Sequence, residues 1–258
     1  MTAQLAELLL LAPDVFRQFF LVFLRIGAAL FVLPVFGESL VPVRLRLALV
    51  LAFSFVVFPS VVSTFPDKQL SGTGYLLSGA GEVLTGLLIG LILRIHIMAI
   101  QIAASIAAQS TSLSQLLGNT TIDPQPALGL VLYMAALALA VTLGLHVQFA
   151  LMFISSYSTV PLGDALHADV AGRLRDAASA AFRFGFVLAA PFIAASLLYN
   201  LALGVINRAM PQLMVAFVGA PAITLGALVV LALTAPLILG LWADAFGWVI
   251  ANPFGAQR

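Results

Sequence analysis

Residues 124–163 carry no aspartate, glutamate, lysine or arginine over 40 positions, and residues 209–243 do the same over 35. Two further runs, 47–66 and 184–207, are free of charge over 20 and 24 residues. A helix that crosses a bilayer needs about 20 mostly apolar residues, so each run is long enough to span. A soluble domain carries roughly 25% charged residues, whereas this chain has 8% charged and 62% hydrophobic residues. That composition excludes a soluble globular enzyme, a disordered tail and a nucleic-acid binder, which needs a basic patch. The net charge of +1 gives the chain no global electrostatic character.

Two more segments reach spanning length with charges inside them. Residues 16–33 include Arg17 and Arg25, and residues 76–108 include Glu82, Arg94 and His96. The runs are continuous rather than alternating, which points to helices and not to barrel strands. The expected fold is therefore all-α, a membrane-associated chain of about six long helices forming a single domain over residues 1–258. Breakers separate the helices, among them Pro34 and Gly37, Pro59 and Pro66, Gly118 with Asn119, and Pro161 with Gly163. The run 209–243 would rise about 50 Å as one helix, and it contains Pro211, Pro221 and Pro236, so it is expected to be broken or folded into a hairpin. Residues 169–183 have the look of a wet helix start, with Asp169 and Arg173 one turn apart. The N-terminus lacks a basic residue before its first apolar run, so no removable signal peptide is expected. Loop charges do not select a topology: Arg44, Arg46 and Arg208 fall on one side, Lys68, Arg173 and Arg175 on the other.

Charge within an apolar helix is costly and is usually paired or functional. Arg25 is read either as a contact across a subunit or pore interface, or as an arginine that snorkels to the headgroups or pairs with a carboxylate inside the chain. Glu82, Gly86, Gly90 and Arg94 recur every fourth residue around a GxxxG element, a groove that lets another helix backbone approach closely. With Arg25 they form the candidate subunit-packing set, the bland alternative being packing within the chain. The segment 109–129 is polar but almost uncharged between two apolar helices. Its Gln109, Ser110, Ser112, Ser114, Gln115, Asn119, Asp123, Pro124 and Gln125 are the candidate gate or plug. Irregular backbone at membrane depth survives only where protein or a wet cavity surrounds it; a solvent-exposed loop is the plain alternative.

Catalytic motifs are missing from the sequence. His96, His146 and His167 are isolated, no HExxH, phosphate-binding loop or GxSxG occurs, and there are no cysteines. No metal or cofactor is expected, and no enzymatic activity.

Residues 184–221 read FGFVLAAPFIAASLLYNLALGVINRAMPQLMVAFVGAP. Ala190–Pro191, Leu203–Gly204, Arg208 with Pro211 and Gln212, and Gly219 with Pro221 resemble the signature of the FliR family of the bacterial type III export gate. Arg25, Pro34, Gly37 and the run 41–49 resemble that family's first helical connection, and Asp123–Pro124–Gln125 the end of its central loop. Met214 and Ala220 depart from the usual pattern, as does the Ser/Thr-rich central loop. The resemblance implies a fold like a fused FliP-like and FliQ-like unit. It implies a bacterial inner-membrane component of the flagellar basal body, assembled with FliP and FliQ homologues into a closed channel for unfolded export substrates. FlhB and FlhA homologues are implied as further partners. It also implies a hairpin tip at Arg208, Pro211 and Gln212, continued by Gly219 and Pro221. The rival reading is a secondary transporter of a small solute. Matching broken helices in two related halves would mark a transporter, and only the C-terminal region has them.

Overall fold

The computed structural model describes residues 2–33, 36–37, 41–65, 72–111, 127–162, 170–210 and 215–255, with side chains placed for all of these except 2–12, 110–111, 127–128, 215–221 and 224. Among the described residues the chain is entirely helical, apart from turns. Seven helices follow in order: α1 (Thr2–Val32), α2 (Val43–Val61), α3 (Thr73–Thr111), α4 (Ala127–Thr142), α5 (Leu145–Thr159), α6 (Val170–Ala209) and α7 (Val215–Ala251). Five of them contain stretches long and apolar enough to cross a membrane, and α4 with α5 would count as a sixth if they form one broken span.

Two boundaries differ from the expectation drawn from the sequence. The uncharged run 124–163 is two helices, broken at Leu143 and Gly144, where Gly144 takes φ +74°. That left-handed conformation costs a side-chain-bearing residue roughly 1–2 kcal/mol, so a lone glycine suffices to end the helix without a proline. The last run, by contrast, does not break after residue 215: α7 continues through Pro221 and Pro236 to Ala251. Pro191 likewise lies inside α6 without ending it. In apolar surroundings no water replaces a lost backbone bond, so forfeiting one hydrogen bond at a proline is cheaper than opening the helix.

Contacts divide the chain into two compact units, one of residues 1–95, 144–178 and 247–258, the other of residues 96–143 and 179–246. In the first, α1 and the start of α3 run parallel. Arg17 meets Tyr75, Arg25 meets Glu82, and Val32 meets Arg94, in rising order on both helices. α2 returns antiparallel along α1, with Phe19 against Phe55 and Phe58, and Gly27 facing Val50. α5 closes this unit through Phe53–Phe153 and Phe36–Phe149 edge contacts. Arg173 at the start of α6 donates to the carbonyl of Phe254 and lies over its ring, so the residues following α7 are held here as well.

The second unit is built on a small-residue face of α3. Ala99, Ala103, Ala104, Ala107 and Ala108 are buried, and Gly129 of α4 rests on Ala104. His96 stacks between Phe184 of α6 and Phe246 of α7, and Phe246 stacks in turn on Trp242. Because Phe184 of α6 and Phe246 of α7 meet the same ring and only five residues separate the two helices, α6 and α7 run antiparallel. The spanning window of α3 is 61% buried, against 17% for those of α6 and α7. α3 is thus the most enclosed of these three helices, and α6 and α7 present most of their apolar surface outward.

Candidate functional site

The most concentrated polar chemistry among the described residues lies in the middle of the first unit. Arg25 and Glu82 are both fully buried. The guanidinium Nε donates to Glu82 Oε2 at 2.7 Å and Nη2 to Oε1 at 2.8 Å, a bidentate pair. Nη2 also donates to the carbonyl of Val160 at 3.0 Å, and Nη1 to Ser156 Oγ at 3.0 Å. Tyr157 donates its hydroxyl to Glu82 Oε2 at 3.0 Å, and its ring lies under the guanidinium, 3.7 Å from centroid to Cζ. Ser156 passes its own proton to the carbonyl of Phe153.

Each helix contributes a specific part. α1 brings the cation, α3 the carboxylate, and α5 a hydroxyl, an aromatic face and its C-terminal carbonyl. Val160 caps α5, so the cation sits at the negative end of that helix dipole. Four of the five guanidinium N–H groups have partners in this arrangement. A buried ion pair is tolerable only when its remaining donors and acceptors are met this way. The cluster can hold three helices in one register, and its side chains are sealed from solvent.

Within this chain the groove at Gly86 and Gly90 receives α1. A Cβ on Gly86 would overlap the carbonyl oxygen of Arg25, and one on Gly90 would lie 2.7 Å from that of Ala29. The GxxxG spacing therefore does mark close helix approach, but the partner is this chain's own first helix. Arg94 extends the same line: its guanidinium is exposed and donates to the carbonyl of Val32 at 3.3 Å, at the C-terminal end of α1. Arg25, Glu82, Gly86, Gly90 and Arg94 are thus brought together by one helix pair. Sequence reasoning missed Ser156 and Tyr157. Their signal was the polar run Ser155–Ser156–Tyr157 inside an otherwise apolar helix.

The gate and hairpin candidates fall elsewhere. Gln109 is exposed near the C-terminal end of α3, and Ser110 lies in the same helix. Ser112, Ser114, Gln115, Asn119, Asp123, Pro124 and Gln125 lie outside the described residues, as do Pro211 and Gln212. Arg208 is exposed in the last turn of α6 and has no hydrogen-bond partner among the described residues. Gly219 and Pro221 lie within α7. No group of three or more metal-ligating side chains occurs among the described residues.

Long apolar helices joined by an internal charge cluster define a helical membrane protein. Residues 16–248 match the family of bacterial export proteins, family 1, and the chain belongs to it. It is similar to flagellar biosynthetic protein FliR of Caulobacter vibrioides, 32% identical over 231 residues that cover 88% of this chain and 91% of the relative. The FliR proteins of Bacillus subtilis (32% over 220 residues, 81% and 82% covered) and Escherichia coli (29% over 221 residues, 83% of each) match over a comparable extent.

Proposed function

We propose that this chain is a structural, non-enzymatic component of the flagellar type III protein export gate in the bacterial inner membrane. With FliP and FliQ homologues it encloses the channel through which unfolded flagellar substrates cross. FlhB and FlhA homologues are further neighbours at the basal body. The observation that carries this reading is the family match over residues 16–248, with FliR relatives aligned along most of both chains.

Physical features agree with it. α6 and α7 leave most of their apolar surface uncovered, with Leu197, Leu198, Leu201, Leu225, Leu233 and Leu237 all exposed. Such a surface needs lipid or sister subunits to cover it. In this reading the polar, almost uncharged segment 109–125 is the plug, and Arg208, Pro211 and Gln212 form the hairpin tip that meets a neighbouring subunit.

The test is co-expression with the FliP and FliQ homologues of the same bacterium, followed by extraction in mild detergent. One large complex containing this chain, against polydisperse material when it is expressed alone, is the expected result. A monodisperse chain that folds by itself and joins no complex would overturn the reading. Deleting residues 112–123 should make the membrane leaky to ions, and a membrane that stays tight would remove the plug role.

A further inference from the structure

The C-terminal half of α3 has a polar outward face. Met98, Gln101, Ser105 and Gln109 are exposed, and at about 100° per residue they fall within roughly 80° of arc. The opposite side is the buried alanine face already described. On α4 and α7 the large exposed side chains are apolar, among them Leu130, Val131, Leu225, Leu228 and Leu233. None of Gln101, Ser105 and Gln109 has a hydrogen-bond partner among the described residues. Unpartnered amide and hydroxyl groups are strongly disfavoured against hydrocarbon. This face therefore meets water or a polar partner.

We propose that the Gln101–Ser105–Gln109 face of α3 lines the hydrated path and touches the backbone of the polypeptide in transit; the proposal rests on the export reading above. A glutamine amide both donates and accepts, matching the N–H and C=O groups that an unfolded chain presents at every residue. The three side chains are neutral, so they select neither acidic nor basic sequences. Their span along the helix, about 12 Å at 1.5 Å per residue, equals about 3–4 residues of extended chain. Gln109 is also the first residue of the polar segment 109–125.

The chain has no cysteine, so single-cysteine reporters need no background removal. Gln101→Cys, Ser105→Cys and the reference Leu233→Cys would be prepared in the assembled complex in native membranes and treated with a charged, membrane-impermeant thiol reagent. Labelling at 101 and 105 at least ten-fold faster than at 233, and slowed or replaced by cross-linking when an export substrate is stalled, is the expected result. Equal rates at all three positions would place the face on lipid or in a sealed subunit contact and overturn the proposal. Fast labelling that a stalled substrate neither slows nor cross-links would overturn the polypeptide as occupant. Substrate secretion by a deletion strain with and without the wild-type chain reads the export role separately. If secretion does not depend on the chain, the export reading fails, whatever the labelling shows.

Discussion

Glu82 holds Arg25 by two parallel hydrogen bonds of 2.7 and 2.8 Å although 57 residues separate them. Both side chains are sealed from solvent, so each charge depends on the other. Removing one partner of a buried pair costs roughly 3–5 kcal/mol, because the survivor is left uncompensated. Glu82→Ala is expected to abolish most recovery of the folded chain from membranes. Arg25→Met combined with Glu82→Leu should restore part of it, since no buried charge then remains. Thermal unfolding in detergent, followed by tryptophan fluorescence, measures the difference. A double variant as unstable as Glu82→Ala would show that the loss does not come from an uncompensated buried charge.

Gly86 permits the approach that makes this pair possible. Its Cα faces the carbonyl of Arg25 so closely that even a methyl group would overlap it. Gly86→Ala, ordinarily favourable in a helix by about 1 kcal/mol, should instead destabilise, and Gly86→Leu more so. Gly204→Ala is the control: nothing lies within 4 Å of a Cβ at that position, so it should be neutral or stabilising. The melting temperatures of the two alanine variants are expected to move in opposite directions.

Those two predictions also mark how far the sequence alone reaches. Helices were legible wherever 20 uncharged apolar residues ran together, because backbone satisfaction in lipid leaves little else. Arg25 and Glu82 stood out individually as costly charges, yet nothing local joins positions 57 apart, and only the fold pairs them. The GxxxG element announced close approach without naming which helix would approach. The break at Gly144 was hidden because a glycine inside an apolar run is compatible with a continuous helix until its φ is known. Pro236 misled in the other direction, since the same residue that ends a helix in water is absorbed within α7. The polar segment 109–125 stood out by its composition and Arg208 only through family resemblance, and the roles proposed for both lie in an assembly rather than in the monomer.

Tyr157 serves the cluster in two separable ways. Its hydroxyl bonds Glu82 at 3.0 Å, and its ring supports the guanidinium of Arg25. Tyr157→Phe keeps the ring and should cost about 1.5–3 kcal/mol for one hydrogen bond to a charged group. Tyr157→Leu loses the cation–π contact as well and adds a cavity, so it should cost about 2 kcal/mol more. The two variants, melted side by side, should fall in that order. Equal losses would assign the whole effect to the hydroxyl.

Arg208 provides the counterpart to Arg25. It is exposed in the last turn of α6, where a cation interacts favourably with the helix dipole, and exposed contributions of this kind amount to about 0.3–1 kcal/mol. Arg208→Ala should therefore leave the melting temperature of the isolated chain nearly unchanged. Its effect is expected only after assembly, as reduced recovery of the complex with FliP and FliQ homologues and reduced swimming in soft agar. Arg208→Lys should restore more of both than Arg208→Ala if charge alone is needed. It should restore little if a planar, forked donor is required by a neighbouring carbonyl or carboxylate. A loss of monomer stability comparable to that of Glu82→Ala would place Arg208 in the fold, and unchanged motility would leave it without a role in assembly.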